Sequence, residues 1–226
     1  MEQLVLDIAP TPLPSFDNFI PGRNAELLRV LRQLAPSNRE RTVYVWGAPG
    51  SGKTHLLQSA IRCAQERGLR ASFHPCSRET LIEIEAQGQD LLAIDDVDRL
   101  DDEAQITLFS LYENLREQEG MLVASGALPP ARLEIRADLA TRLAAGLVYE
   151  VHGISDEEKA TALREHAKNR GFALSGDVVN YLLHRERRDL PWLLATLDAL
   201  DRYSLQTRRA ITVPLLKDLL AASPSD

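Results

Sequence analysis

The residue types best suited to chemistry lie in one glycine-rich stretch. Gly47, Gly52, Lys53 and Thr54 have the spacing Gly-x-x-x-x-Gly-Lys-Thr, after an apolar run and before an apolar-periodic helix that opens at His55. Glycines let the backbone N–H groups turn towards phosphate oxygens, and a helix N-terminus adds partial positive charge. The lysine can reach the β- and γ-phosphates, and the threonine hydroxyl can ligate Mg²⁺. This context predicts a nucleotide phosphate loop rather than an ordinary glycine turn.

The second candidate for a functional site is a pair of carboxylates. Asp95 and Asp96 directly follow the apolar run 91–94. Acidic residues at the carboxyl end of a buried parallel strand are suited to a Mg²⁺-nucleotide site. We expect Asp95 to hold Mg²⁺, directly or through water, and Asp96 to orient or deprotonate an attacking water. The alternative is a solvated acidic turn, because more carboxylates follow.

The strands and helices that position the glycine-rich loop and the two aspartates can be predicted from apolar runs and helical periodicity. The pattern predicts strands near 43–46, 71–74, 91–94, 121–124 and 147–151, and helices near 24–34, 55–67, 77–86, 101–118 and 137–145. On the helix at 101–118, we place Ile106, Phe109, Tyr112 and Leu115 on one apolar face. Strands separated by helices predict an α/β fold with a parallel sheet flanked by helices.

The pattern changes after Gly153. Ser155 to Glu158 has the sequence of a capping box, and helices are predicted near 155–170, 176–185, 190–206 and 213–221. We therefore expect three parts: a flexible segment 1–14, an α/β nucleotide-binding domain 15–153, and a small all-helical domain 154–226.

Composition narrows the class of protein. The chain has 226 residues, and its net charge of −7 lies in residues 1–153, where 22 acidic residues face 15 basic ones. This charge balance does not favour a protein whose main ligand is nucleic acid, although it leaves room for a local contact with DNA. Two cysteines give no disulfide framework or zinc site, and no run approaches a membrane span or a signal peptide. We expect a cytoplasmic protein.

The first 20 residues contain two further candidates. The hexapeptide Gln3-Leu4-Val5-Leu6-Asp7-Ile8 is either a stray edge strand or a peptide ligand with one amide and several apolar anchors. Phe16 and Phe19 either staple the following helix to the core or form an aromatic lid over a purine.

Together these motifs resemble a known family. Ser15-Phe16-Asp17-Asn18-Phe19, Gly52 to Leu57 and Leu91 to Asp96 are similar to the AAA+ clan and, within it, to the DnaA-like branch, where an Asp-Asp pair is typical. With the N-terminal hexapeptide, the chain resembles the regulatory inactivators of the initiator DnaA. In that family the hexapeptide docks in a hydrophobic pocket of the sliding clamp, the β subunit of DNA polymerase III. No helix-turn-helix domain is expected after Leu220.

The resemblance implies roles for named positions. Gln3, Leu4, Leu6 and Ile8 would contact the clamp, and Thr54 and Asp95 would hold Mg²⁺. Arg142 would be an arginine finger offered to the ATP of a partner, with a surface ion pair as the alternative. The residues expected to bind ADP or ATP are Phe16, Asn18, Phe19, Gly47, Pro49, Gly50, Ser51, Gly52, Lys53, Thr54, His55 and Ser125.

Two positions depart from the family pattern. The polar residue after the fourth strand is here only Ser125, and the position of the lid arginine is occupied by Pro191, with Arg187 and Arg188 one turn earlier. Both departures favour a protein with weak ATP hydrolysis of its own that holds ADP and acts on another ATPase.

The implied function is negative regulation of replication initiation. Docked on the clamp, and reaching DNA only through it, the protein would stimulate hydrolysis of DnaA-bound ATP, with Asp96 and Arg142 as the catalytic candidates. Homo-oligomerisation stays open. The alternatives are an ATP-driven loader or remodeller of the DnaC type and, with less support, a small-molecule kinase.

Overall fold

The computed structural model describes residues 13–35, 40–76, 88–185 and 189–222. The chain divides into two compact units at Gly153. The first unit is Pro14–Gly153, and the helices after Ile154 form the second. Among the described residues, no helix is long and apolar enough to span a lipid bilayer.

The first unit is an α/β unit with a parallel sheet. The strands are β1 Thr42–Trp46, β2 Ala71–Pro75, β3 Leu91–Asp95, β4 Met121–Gly126 and β5 Leu147–Glu150. They pair in the order β2-β3-β4-β1-β5, and every pair is parallel. The helices are α1 Ala25–Arg32, α2 Lys53–Glu66, α3 Asp102–Glu117 and α4 Ala137–Ala144. The predicted fold class is confirmed.

The sheet is covered on both faces, which explains its apolar strands. Successive side chains of a strand point to opposite faces. Val43 and Val45 accordingly join Leu56 and Leu57 of α2 in one core cluster. Tyr44, between the two valines, packs instead in the cluster on the α3 side. Burial on both faces favours continuous apolar runs such as Leu91–Ile94 over alternating polar ones.

The strand order determines where the site lies. β1 lies between β4 and β5, and β3 lies beside β4. The carboxyl ends of β1, β3 and β4 therefore meet at one edge of the sheet. Ligands of open α/β sheets bind at this edge.

The second unit consists of four helices within the described residues: α5 Asp156–Asn169, α6 Gly176–Leu183, α7 Leu190–Thr207 and α8 Val213–Ala222. The predicted capping box is present, because Ser155 Oγ accepts from the Glu158 N–H and Glu158 Oε2 accepts from the Ser155 N–H. Buried Leu163, Leu182 and Leu197 bring α5, α6 and α7 together in one apolar core.

Two local predictions differ from the structure, and a third falls outside it. α2 begins at Lys53 rather than His55, because the left-handed turn of the loop ends at Gly52. The predicted apolar face of α3 is only partly right: Tyr112 and Leu115 are buried as expected, but Ile106 is 51% exposed. Leu108 and Leu111 are buried instead. The helix predicted at 77–86 lies outside the described residues.

Candidate functional site

The glycine-rich loop between β1 and α2 has the backbone geometry of a phosphate cradle. Gly52 has φ +103°, a left-handed conformation that residues with a Cβ rarely adopt. A Cβ added there would also lie 2.8 Å from Cε2 of the Phe19 ring. The left-handed turn lets α2 begin at the next residue, so that the free N–H groups of its first turn point into the loop. Anions bind well at such a terminus.

Lys53 carries the positive charge of this loop. Its side chain lies across the loop, and Nζ donates to the carbonyl oxygens of Gly47 at 2.9 Å and Ala48 at 3.4 Å. The residue is only 9% exposed. The ammonium group is therefore held inside the loop, where phosphate oxygens were predicted.

Hydrogen bonds connect α2, β3 and β4 through one buried carboxylate. Thr54 Oγ1 donates to Asp95 Oδ2 at 2.6 Å. Ser125 Oγ donates to Asp95 Oδ1 at 2.5 Å and accepts from the Asp96 N–H at 2.8 Å. Asp95 is 4% exposed and Ser125 is fully buried. Ser125, which the sequence offered only as the available polar residue, thus fixes both aspartates.

The oxygen atoms of Thr54 and Asp95 fit a magnesium ion. Mg²⁺ prefers oxygen ligands and is commonly held by one or two protein groups together with phosphates and water. Within the described residues, no cluster of three or more His, Cys, Asp or Glu side chains is arranged to enclose a metal. An ion held by Thr54 and Asp95 would take its remaining ligands from water or from a bound phosphate.

Asp96 has the features of a candidate base. It has φ 57°, in the left-handed region, and its Oδ2 lies 3.4 Å from Arg99 Nε. Partial burial, followed by the neighbouring Asp95 charge, raises the pKa of the Asp96 carboxyl, while Arg99 and Lys53 oppose that rise. A carboxylate with a raised pKa accepts a proton more readily.

Of the aromatic and imidazole side chains predicted to bind the nucleotide, those of Phe19 and His55 lie at the loop. Their rings are 5.4 Å apart between centroids, at 56°. His55 Nε2 donates to the Ser15 carbonyl at 3.0 Å, and burial lowers the pKa of His55. Phe16 lies elsewhere, buried in the core beneath the Arg32 guanidinium, as the stapling alternative expected. Asn18 Oδ1 accepts from the Ser15 N–H.

Comparison with known proteins tests the family resemblance. The family profile described as "Hda, lid domain" matches residues 156–220, and that of the AFG1-like ATPases matches 16–124. These matches confirm the predicted resemblance. The chain is a DnaA-related, Hda-like AAA+ protein.

Solved structures agree with the fold of this Hda-like protein. Domain III of DnaA from Thermotoga maritima has 23% identity and a TM-score of 0.70, over 93% of this chain and 96% of that one. AMPPCP-bound DnaA from Aquifex aeolicus has 23% identity and a TM-score of 0.66, over 87% and 70%. A replication initiator DnaA bound to AMPPCP and single-stranded DNA has 22% identity and a TM-score of 0.68, over 87% and 69%. At these identities the likeness shows the shared fold.

Arg142 of the Hda-like protein lies on α4, facing α3. Its Nε is 2.8 Å from Glu113 Oε1, and its Cζ lies 5.9 Å from the centroid of the Phe109 ring. The side chain is 38% exposed. Arg142 thus makes the ion pair of the simpler alternative.

Some of the remaining predicted residues lie in the described part of the chain, and others lie outside it. Pro191 lies in the first turn of α7. Arg187 and Arg188 lie outside the described residues, as do Gln3, Leu4, Leu6 and Ile8. Pro49 and Gly50 are exposed at the tip of the phosphate loop, and Ser51 is buried beside Gly52.

Sequence reasoning missed a group that supports Ser125. The Tyr44 hydroxyl donates to the Leu128 carbonyl at 2.8 Å, and Asp98 Oδ1 accepts from the Ala127 N–H at 3.1 Å. Burial, with Asp98 and Asp96 nearby, raises the pKa of Tyr44 well above its usual range. These bonds hold the backbone that follows Ser125. No local signal identifies them, because they depend on the pairing of β4 with β1 and with β3.

Proposed function

We propose that this protein is a nucleotide-bound negative regulator of DnaA, which stimulates hydrolysis of DnaA-bound ATP while docked on the sliding clamp. The observation that carries the proposal is the Hda-type lid at 156–220, attached to an α/β unit with a DnaA-like fold. A lid of this type distinguishes the chain from AAA+ proteins in general.

The nucleotide proposed for the phosphate loop is ADP with Mg²⁺. Lys53 and the N–H groups at the start of α2 would bind the phosphates, and Thr54 and Asp95 would hold the ion. When bound, Mg²⁺ offsets the negative charge of the phosphate oxygens. Structures of DnaA bound to AMPPCP, an ATP analogue, support a nucleotide at this position of the fold.

Mass spectrometry of the purified protein tests the identity of this ligand. We expect ADP to be retained, and Lys53→Ala to lose it because the buried ammonium is removed. Lys168→Ala is the matched control, since Lys168 is exposed on α5. Retention of ADP by Lys53→Ala would contradict the assignment of the site.

Arg142 is the proposed catalytic group in trans. Its guanidinium would stabilise the charge that develops on the γ-phosphate of the ATP bound to DnaA. Such an arginine contributes about 10³-fold or more to the rate of hydrolysis. The ion pair with Glu113 would hold the Arg142 side chain against α3 before DnaA binds.

The assay is hydrolysis of radiolabelled ATP bound to DnaA, with the clamp loaded on DNA. Arg142→Ala should abolish the stimulation and leave ADP binding unchanged. Arg29→Ala serves as control, because Arg29 is an exposed arginine on α1 of the same unit. Equal stimulation by the Arg142→Ala and wild-type proteins would refute the role of this residue.

The clamp contact is proposed for the hexapeptide at residues 3–8. One amide and alternating apolar side chains fit a peptide groove. The double variant Gln3→Ala/Leu4→Ala should lose clamp binding in surface plasmon resonance, while Glu2→Ala, just outside the motif, should retain it. Unchanged affinity of the double variant would remove the clamp from the proposal.

A second candidate function is ATP-driven remodelling of the replication machinery, as by a DnaC-type loader. The observation that favours it is the intact network of Thr54, Asp95 and Ser125 beside Asp96. All of these residues except Ser125 lie within the range 16–124 that matches the AFG1-like ATPases. This candidate predicts brisk ATP turnover by the purified chain without DnaA, which Asp96→Asn abolishes. The regulator proposal predicts little turnover in either protein.

A further inference from the structure

The last segment of the α/β unit, residues 151–153, lies against the phosphate loop. The Val151 N–H donates to the Trp46 carbonyl at 2.7 Å, which extends the β1–β5 pairing. A Cβ added to Gly47 would lie 2.5 Å from the Val151 carbonyl oxygen. A Cβ added to Gly153 would lie 3.8 Å from Ser51 Cα. The Val151 backbone therefore lies directly against Gly47 at the start of the loop, and Gly153 lies near Ser51 at its end.

A buried asparagine holds the middle residue of that segment. Asn24 Nδ2 donates to the His152 carbonyl at 2.8 Å, and Asn24 Oδ1 accepts from the His152 N–H at 2.8 Å. Asn24 is 3% exposed and lies immediately before α1. A carboxamide provides one donor and one acceptor side by side, which matches the two backbone groups of one residue.

The loop is restrained from within by Lys53 Nζ, which donates to the Gly47 and Ala48 carbonyls, and by the Ser51 N–H, which donates to the Ala48 carbonyl. Ser51 Oγ is buried and makes no hydrogen bond to any described residue. A Cβ added at Gly50 would meet no atom within 4 Å. Packing of Gly47 against Val151 is a restraint from outside the loop, and it depends on where His152 is held.

We propose that Asn24 is a positioning residue of the phosphate loop. By forming two hydrogen bonds with His152, Asn24 keeps Val151 against Gly47 and Gly153 near Ser51. It thereby maintains the loop conformation that receives phosphate. This role rests on the nucleotide binding proposed above. Asn24 touches no nucleotide itself and acts through the backbone of 151–153.

The pH dependence of Asn24→Asp tests the two hydrogen bonds between residue 24 and His152 directly. An ionised carboxylate can accept from the His152 N–H, but it repels the His152 carbonyl. The protonated acid offers one O–H donor and one carbonyl acceptor, as the amide does. Burial and the facing carbonyl both favour the neutral form, which raises the pKa of the introduced carboxyl.

We expect Asn24→Ala to weaken ADP binding about tenfold at every pH, as the loss of two buried hydrogen bonds suggests. Asn24→Asp should bind as weakly at pH 7.5 and recover to within about twofold of wild type at pH 5. Asn114→Asp, at an exposed position of α3, is the control and should follow wild type throughout. A purely structural role would lower stability and leave the affinity of the folded variants at the wild-type value.

Hydrogen exchange provides a readout that needs no nucleotide. Asn24→Ala should accelerate exchange of amides 47–53 severalfold and leave those of α3 unchanged. Wild-type exchange at 47–53, or wild-type ADP affinity in folded Asn24→Ala, would overturn the proposal. If wild type itself binds no ADP, the proposed function fails, and the exchange rates still decide whether Asn24 positions the loop.

Discussion

Ser125→Ala is the sharpest test of the network that holds Asp95. The substitution removes one hydroxyl and adds nothing to a fully buried position. It leaves the Asp96 N–H without its acceptor and Asp95 Oδ1 without its donor. Thr54 still donates to the other oxygen of Asp95. The variant should therefore fold, with two polar groups unsatisfied at the carboxyl edge of the sheet.

The expected cost follows from these two groups. A buried donor or acceptor left without a partner costs about 1–3 kcal/mol, and a charged acceptor costs more than a neutral one. The Asp96 N–H is only partly buried, which reduces its share. We therefore expect the free energy of unfolding of the α/β unit to fall by about 2–4 kcal/mol.

The two tryptophans of the chain make this cost measurable in one unit. Trp46 ends β1 of the α/β unit, and Trp192 lies on α7 of the helical unit. In a Trp192→Phe background, Trp46 fluorescence in a urea titration reports unfolding of the α/β unit alone. Ser110→Ala is the matched control, because Ser110 is exposed on α3 and its hydroxyl bonds only to the Ile106 carbonyl.

The control should change stability by no more than about 0.5 kcal/mol. If Ser125→Ala also stays within that range, the hydroxyl does not hold the aspartates, and the network contributes nothing to stability. A changed slope of unfolding free energy against urea would instead report a different denatured or native state.

Three further predictions concern Asp96, Gly52 and Ser155. Asp96→Asn should stabilise the α/β unit at pH 7 and add little stability near pH 4. The raised pKa of Asp96 means that the folded protein binds this proton more tightly than the unfolded chain does. Wild type therefore loses stability as the pH rises through the acid range. An equal effect at both pH values would contradict that shift. Gly52→Ala should abolish ADP binding, since Phe19 obstructs the added methyl, whereas Gly68→Ala bears similar backbone strain at an open site and should bind ADP normally. Ser155→Ala should lower the stability of the helical unit by about 1 kcal/mol through loss of its cap, measured by Trp192 fluorescence, and no change would show that the cap is unimportant.

Several features could be predicted because their causes are local. The phosphate loop depends on glycines whose conformation is set within a few residues, and on the strand and helix on either side. The capping box at Ser155 involves residues three apart. Continuous apolar runs such as Leu91–Ile94 indicated a sheet covered on both faces, which is what the structure shows. These are interactions that a short segment largely determines for itself.

Other features depended on contacts between distant parts of the chain. The buried position of Phe16 and the apolar face of α3 follow from how helices meet the sheet. Ser125 reaches the aspartates only because β4 pairs with β3, and Asn24 reaches His152 across 128 residues. By itself, the sequence determined the loop chemistry and the class of fold. Only the tertiary structure decided which polar groups hold that loop and its carboxylates in place, because their hydrogen bonds join segments that are distant in the sequence and are brought together by the fold.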